Sequence, residues 1–134
     1  MSDAERGLSP NKRSWEDVRS GGMTLELAIL DVRAGQADAF EAAFADAKSI
    51  ISSMPGFVSL QLQRCVENAD RYVLLVQWQR LEDHTEGFRG SPEYEQWRAL
   101  LHHFYDPFPT VEHYDTVVSI NGSRRATAEH EFDR

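Results

Sequence analysis

The segment QWQRLEDH at residues 77–84, followed by SPEYEQW at residues 91–97, decides the fold of this chain. An apolar strand ends in the first segment, and a short polar helical turn begins there. Ser91 can cap the next helix with Pro92 at its first position, a favoured way to begin a helix. The chain therefore passes from a strand into a helix through a short linking turn.

Outward from this point, the pattern of apolar residues predicts four strands and two longer helices. Period-two alternation indicates strands, and they span residues 24–32, 57–65, 71–80 and 110–119. Apolar spacings of three and four predict helices over residues 36–53 and 92–105. The order β-α-β-β-α-β is typical of a ferredoxin-like α+β fold, a four-stranded antiparallel sheet with helices on one face.

Two helices can cover only one face of such a sheet. The third strand is apolar on both sides, because Val73 and Leu75 alternate with Leu74 and Val76. The fourth strand adds apolar residues to the uncovered face, either Val111 with Val117 or Tyr114 with Val118. A large apolar patch in water is unusual, so we expect a partner sheet packed face to face in a symmetric homodimer.

Composition limits the classes of partner. The 134 residues predict one domain, and they carry a net charge of −8 with a single cysteine, Cys65. Residues 23–119 hold fifteen acidic and seven basic side chains, a charge that disfavours nucleic acid and anionic membranes. One cysteine forms no intrachain disulfide and no zinc site built on several cysteines. The sequence contains no apolar run of membrane-spanning length and no signal-like N-terminus, which predicts the cytoplasm.

Polar segments flank the predicted domain of residues 23–119. Residues 1–22 read as an N-terminal arm in which Trp15 is the one large aromatic residue. Residues 120–134 form a second polar tail that Phe132 could anchor. Each segment has too little apolar surface to order itself alone, so either docking or disorder is consistent with the sequence.

The domain resembles the antibiotic-biosynthesis monooxygenase (ABM) family of small dimeric α+β barrels. The matching features occur in order along residues 23–119, and they are Met54-Pro55-Gly56-Phe57, Tyr72 to Trp78, His84, Ser91-Pro92-Glu93-Tyr94 and Pro109 to Tyr114. Each short motif is weak alone, whereas their order and spacing together are specific. The two flanking segments fall outside the resemblance.

The resemblance implies a pocket between each sheet and its own helices. Characterised members include cofactor-free oxygenases of polyketides and quinols, so it implies oxidation of a small aromatic, phenolic or quinol substrate with dioxygen, without bound flavin or metal. The alternative is a non-catalytic dimer that binds a small hydrophobic ligand or serves as an assembly module. Haem-degrading members use a first-strand asparagine, a linking-helix tryptophan and a histidine ligand. The corresponding positions here read Leu27-Ala28-Ile29, Gly87-Phe88 and Gln96-Trp97-Arg98, which disfavours that branch.

Two histidines are the candidate catalytic residues. His84 matches a position where the family often carries histidine at the pocket mouth, and a near-neutral pKa suits proton transfer. The competing interpretation is a polar residue on an exposed turn. His113 could hydrogen-bond a substrate oxygen if it faces the pocket, or it could be a structural histidine satisfied by Asp115. His102 and Asp106 lie one turn apart, which predicts a pairing at the helix end rather than a metal site.

Aromatic and amide side chains supply the candidate substrate-binding set. These are Tyr72, Trp78, Phe88, Tyr94 and Trp97, with Gln61 and Gln77. An aromatic stripe usually forms core, but part of it could stack on a planar ligand. The glutamines could orient a ligand's oxygen atoms, or they could form a polar ladder across the dimer.

Overall fold

The computed structural model describes residues 23–122, and its elements follow the predicted order. The strands are β1 (Thr24–Asp31), β2 (Phe57–Arg64), β3 (Arg71–Trp78) and β4 (Val111–Tyr114). The helices are α1 (Ala37–Ser52) and α2 (Pro92–Leu101), with a π-helical turn at Asp83–Phe88 and a 3-10 turn at His102–Phe104. The predictions for Trp15 and Phe132 concern residues outside this range.

The four strands form one antiparallel sheet in the order β2-β3-β1-β4. The two central strands, β1 and β3, pair along their whole length, from Thr24 opposite Trp78 to Asp31 opposite Arg71. Sequence neighbours β2 and β3 form the hairpin, and β4 returns to the far side of β1. This topology confirms the predicted ferredoxin-like α+β fold.

Both long helices pack on one face of the sheet and bury it. The apolar stripe predicted for α1 is buried, with Phe40, Phe44, Ala47 and Ile51 all facing inward. On α2, Trp97 and Leu101 are buried in the same way. They pack against the alternate residues of β1 and β3, among them Ala28, Leu30, Leu74 and Val76.

The start of α2 follows the sequence prediction. The Ser91 hydroxyl oxygen accepts a hydrogen bond from the backbone N–H of Tyr94 at 3.2 Å, and Pro92 occupies the first turn. Before β2, Gly56 adopts a φ of 86°. A Cβ atom at Gly56 would lie only 2.2 Å from the side chain of Asp83, so the two turns approach closely here.

The fourth strand is shorter than predicted. It ends at Tyr114 rather than Ser119, because Tyr114 pairs with Leu25 and β1 begins only one residue before that position. Beyond Tyr114 the chain has no β1 partner left, and Val117, Val118 and Ile120 are largely exposed. Val118 therefore does not extend the sheet.

The second face of the sheet carries a continuous apolar surface, hereafter the open face. It comprises Leu25, Leu27, Ile29, Val73, Leu75 and Tyr114, which the strand registers place on one side. Of the two alternatives for β4, Tyr114 belongs to this face and Val111 to the helix side. No helix within residues 23–122 is long and apolar enough to cross a membrane.

Candidate active site

A cavity of about 330 Å³ lies between the sheet and the helices. Its walls come from β1, β3, the π-helical turn, α2, the 3-10 turn and the segment that leads into and begins β4. The lining residues are Glu26, Ala28, Leu30, Leu74, His84, Phe88, Arg89, Tyr94, Trp97, His102, Tyr105, Phe108, Pro109 and Val111. Ala28 stands between Glu26 and Leu30 on the strand that forms the floor. A methyl group at that position leaves volume that a larger side chain would fill.

Glu26 is the acidic group of the cavity. Its residue surface is only 5% exposed, although it projects from a strand face that is otherwise largely apolar. The indole N–H of Trp78 donates a hydrogen bond to Glu26 Oε1 at 2.9 Å. Burial disfavours the charged form and raises the pKa of Glu26 to about 7, while the Trp78 hydrogen bond and the Arg89 charge act in the opposite direction.

His84 lies against the same carboxylate. Its Nε2 is 3.4 Å from Glu26 Oε1, and its ring stacks on the indole of Trp78 with centroids 5.6 Å apart. The π-helical turn that carries His84 closes on itself, because the Arg89 N–H donates to the His84 carbonyl. Burial lowers the pKa of His84 to about 3, and Arg89 and His113 add to that effect. His84 is therefore neutral at physiological pH.

His113 completes a line of three titratable groups. His84 Nδ1 and His113 Nε2 are 2.8 Å apart, a hydrogen bond between two imidazoles. Edge strand β4 places His113 opposite Glu26 of β1, on the helix side of the sheet. Burial, followed by the charge of Arg89, lowers the pKa of His113. Glu26, His84 and His113 form what we call the proton chain.

Arg89 is the cation whose charge acts on all three groups of the proton chain. It is exposed, it lines the cavity, and its charge lowers the pKa of Glu26, His84 and His113. Among residues 23–122, no carboxylate forms an ion pair with its guanidinium. The cavity therefore presents one positive charge beside the neutral His84 and a Glu26 carboxyl group that is about half ionised near pH 7.

The aromatic residues predicted to bind substrate divide into two groups. Phe88, Tyr94 and Trp97 line the cavity. Trp78 is fully buried behind it, where its indole contacts Glu26 and His84. Tyr72 lies away from the cavity, with its hydroxyl donating to Glu41 at 2.5 Å.

The predicted glutamines lie on the other side of the sheet. Gln61 pairs with Leu75 and Gln77 pairs with Leu25, so both belong to the open face. Alternate residues of a strand point to opposite faces, and the cavity occupies the face that carries Leu74 and Val76. Neither glutamine lines the cavity, although both remain placed for a polar role at an interface.

Sequence reasoning missed several cavity residues, among them Glu26, Arg89 and Tyr105. Glu26 looked like the solvent side of β1, because Leu25, Leu27 and Ile29 form the more apolar alternate set. The available signal was that Ala28 and Leu30, on the same side of the strand as Glu26, are also apolar. The predicted pairing of His102 with Asp106 was wrong, since Asp106 pairs with Arg33 at 3.4 Å and His102 lines the cavity.

The described part of the chain offers no cluster for a metal. No group of three or more histidine, cysteine, aspartate or glutamate side chains in residues 23–122 is arranged to hold a metal ion. The proton chain contributes two histidines and one glutamate, but its histidine nitrogens are directed at each other and at the carboxylate rather than at a common point.

Comparison with known proteins identifies the family. The model of the antibiotic biosynthesis monooxygenase family matches residues 23–100, which include β1 to β3, the π-helical turn and most of α2. This chain belongs to the antibiotic biosynthesis monooxygenase family, and the resemblance noted in the sequence is confirmed. It is 54% identical over 95 residues to the uncharacterized protein YczJ of Bacillus subtilis (strain 168), a match that covers 71% of this chain and all of YczJ.

Solved structures show the same fold. A candidate antibiotic biosynthesis monooxygenase from Bordetella bronchiseptica has a TM-score of 0.70 and 32% identity, covering 72% of this chain and 99% of that one. A second candidate from Caulobacter crescentus has a TM-score of 0.64 and 23% identity, covering 78% and 99%. The heme-degrading protein Rv3592 of Mycobacterium tuberculosis shares the fold at a TM-score of 0.55 and 20% identity, covering 75% and 97%.

Proposed function

We propose that this protein is a cofactor-independent monooxygenase that oxidises a small aromatic, phenolic or quinol substrate with dioxygen. The observation that carries the proposal is the proton chain, in which a buried carboxylate with a pKa of about 7 faces an aromatic-lined cavity. A general base is most effective when its pKa lies near the working pH. Family membership supports the same class of reaction.

The first step is removal of a proton from the substrate hydroxyl. Glu26 is the proton acceptor, because its carboxylate lines the cavity and burial gives it an affinity for a proton near neutral pH. The proton then passes to Nε2 of His84, while the Nδ1 proton of His84 moves to Nε2 of His113 across 2.8 Å. His113 is less buried than His84 and leads the proton toward the sheet edge.

The oxidation step follows from the electron-rich anion that remains. For a phenol with an activated ring CH₂ group, transfer of electrons to dioxygen forms a carbon–oxygen bond, and loss of water leaves a carbonyl. One oxygen atom enters the product and the other leaves as water, so the substrate supplies all four electrons. Phe88 and Trp97 line the cavity and exclude water from the anion, which strengthens its electrostatic contacts.

We also propose that the protein forms a homodimer through the open face. Within the described residues no helix packs on this face: Ile29 is 42% and Tyr114 46% exposed, and Leu25, Leu27 and Leu75 are only half-buried. Face-to-face packing of two sheets would remove this surface from water and produce the dimeric α+β barrel. Gln61 and Gln77 would then lie at the interface.

The second candidate function is binding of a small hydrophobic ligand without chemistry. Its supporting observation is the apolar share of the cavity wall, to which Leu30, Leu74, Phe88, Trp97 and Val111 contribute. Such a wall retains a flat apolar molecule whether or not Glu26 removes a proton. A role as an assembly module through Trp15 would involve residues outside the described range.

Dioxygen uptake tests the proposed function. Purified protein is given a panel of quinols and anthrone-like phenols with a metal chelator present. We expect saturable, protein-dependent uptake that falls at least about 100-fold in Glu26→Gln, because glutamine cannot accept the proton. Glu86→Gln is the matched control, since Glu86 is exposed on the π-helical turn and does not line the cavity.

Two other outcomes would redirect the assignment. Tight binding of the panel without uptake would favour the ligand-binding alternative. Full turnover in a variant that changes His84 and His113 together, both to asparagine, would remove the histidines from the mechanism and leave Glu26 in direct exchange with solvent.

A further inference from the structure

The cavity contains a second polar cluster that the proton chain does not use. Tyr105 is 6% exposed and lines the cavity, yet its hydroxyl makes no hydrogen bond with any residue in the range 23–122. A buried hydroxyl without a partner is costly and is rarely left so. Burial raises the pKa of Tyr105, with Tyr94 adding to the effect, so the group remains a hydrogen-bond donor.

Two more cavity residues, Tyr94 and His102, are half-buried, and their side chains also lack a hydrogen-bond partner among residues 23–122. The ring of His102 lies 5.9 Å from that of Tyr94 and 5.9 Å from that of Tyr105. Neither the Tyr94 hydroxyl nor the His102 ring nitrogens form a hydrogen bond within the described part of the chain. Burial and the charge of Arg98 lower the pKa of His102, which keeps its imidazole neutral.

This cluster is separate from the proton chain. The ring of Phe88 lies between the two, with its centroid 6.4 Å from that of His84 and 5.2 Å from that of Tyr94. Glu26 and His84 of the proton chain line the same cavity as this cluster, whereas His113 lies behind His84. A flat molecule packed along Phe88 would therefore meet Glu26 and His84 at one end and Tyr105 at the other.

We propose that Tyr94, His102 and Tyr105 form a second subsite, which binds a hydrogen-bond-accepting oxygen of the ligand such as a ring carbonyl or an oxyanion. Two phenol hydroxyls and one neutral imidazole supply up to three donors. An alkyl group in the same place would leave all three without partners. The subsite thus selects an aromatic ligand that carries oxygen functions at two separated positions.

The inference rests on the proposed function in one respect: it takes the proton chain to mark the end of the cavity where the ligand reacts. Its test is binding, measured by isothermal titration calorimetry on the full chain with two probes that differ at one position. The probes are 6-acetyl-2-naphthol, which offers a carbonyl oxygen, and 6-ethyl-2-naphthol, which does not. We expect the acetyl probe to bind about fivefold to tenfold more tightly, as one or two hydrogen bonds would give.

Variants that lack a single hydroxyl group then show which residues give the preference for the acetyl probe. Tyr105→Phe should reduce the affinity for the acetyl probe about fivefold and leave the ethyl probe within about twofold, because the ring and its packing remain. Tyr94→Phe should act in the same direction and serves as the deciding variant if Tyr105→Phe fails to fold. Tyr114→Phe is the matched control, since Tyr114 lies on the open face and its hydroxyl bonds Glu112.

Equal affinity for the two probes in the unaltered protein would overturn the subsite, as would an unchanged preference in both cavity variants. No binding of either probe would also overturn it. A preference for the acetyl probe without dioxygen uptake would contradict the proposed oxidation and support the subsite. Dioxygen uptake without that preference would contradict the subsite and support the oxidation, so the two failures are distinguishable.

Discussion

The indole nitrogen of Trp78 donates a hydrogen bond to Glu26 Oε1 at 2.9 Å, and both side chains are buried. The two residues are 52 positions apart in sequence but lie on the adjacent central strands β3 and β1. The bond favours the ionised carboxylate, whereas burial favours the protonated form. Trp78 therefore helps to determine the pH at which Glu26 loses its proton.

The first prediction concerns this bond. Trp78→Phe removes the donor, so the pKa of Glu26 should rise and the pH midpoint of dioxygen uptake should move upward. The smaller ring also leaves a gap that costs about 1–3 kcal/mol of stability. The measurement is the pH profile of uptake from pH 5 to 9. Trp97→Phe is the control, since Trp97 lines the cavity without bonding Glu26, and equal midpoints in both variants would contradict the prediction.

The second prediction concerns stability and pH. The pKa of Glu26 is about 7 in the folded protein and 4.5 as the reference for the unfolded chain. Between these values the folded state binds more protons, so the contribution of Glu26 to stability falls as pH rises from 4.5 to 7. The total loss is about 3 kcal/mol and stays constant above pH 7.

Urea denaturation of the unaltered protein and of Glu26→Gln measures this contribution by difference. His84, His102 and His113 have lowered pKa values, so their contribution to stability increases as pH rises, opposite to that of Glu26. Taking the difference between the two proteins largely cancels them. The advantage of the unaltered protein over Glu26→Gln should shrink from pH 5 to pH 8, and a difference independent of pH would rule out a raised Glu26 pKa.

The third prediction concerns the cavity floor. Ala28→Leu places three more carbon atoms in the cavity, which should weaken binding of 6-ethyl-2-naphthol by more than about tenfold. The cavity has room for the side chain, so unfolding free energy should change by no more than about 1–2 kcal/mol. Calorimetric binding and urea denaturation give the two values. Ala99→Leu on the exposed side of α2 is the control, and unchanged affinity in Ala28→Leu would place the ligand elsewhere.

The fourth prediction uses two glycines with nearly the same backbone conformation. Gly35 has a φ of 80°, and apart from its chain neighbours no residue in the range 23–122 comes within 4 Å of the position that an added methyl group would take. At Gly56, such a methyl group would strike Asp83. Both alanine variants should lose about 1 kcal/mol from the positive φ. Gly56→Ala should lose about 1–3 kcal/mol more from the contact. Similar unfolding free energies for the two variants would show that the turn moves freely.

The fifth prediction tests the open face. Leu75 lies near its centre, and Leu75→Lys would bury a charge in the proposed interface at a cost of several kcal/mol. Sedimentation equilibrium should therefore give a dimer for the unaltered protein and a monomer for the variant. Val66→Lys is the control because Val66 is 93% exposed in the loop between β2 and β3. A monomeric unaltered protein would contradict the proposed dimer.

Local signals were strong enough to predict most of the fold. The cap at Ser91, the apolar stripe of α1 and the two apolar faces of the third strand each depend on neighbours in sequence. The end of β4 could not be predicted from local signals, because it depends on where its partner strand β1 begins. Val117 and Val118 have strand-like character, but strand propensity cannot supply a partner.

The candidate site was predicted less completely for a related reason. His84 stood out because it matched a family position, whereas Glu26 is one acid among many and only the packing shows it to be buried. Gln61 and Gln77 attracted attention for their chemistry, and their face of the sheet depends on register. The lack of a hydrogen-bond partner for the Tyr105 hydroxyl among residues 23–122 is a property of the folded cavity and has no signal in the sequence.

The strand β1 serves the cavity with its even-numbered residues and the open face with its odd-numbered ones. Deleting or inserting one residue within it would turn Leu27 toward the cavity and Glu26 outward, damaging both surfaces together. A single substitution in β1 can be compensated by a change in one neighbouring residue. A change in strand length cannot, because it moves several side chains to the opposite face together. Relatives that keep this chemistry should therefore accumulate insertions in their loops and preserve the residue count between Glu26 and Leu30.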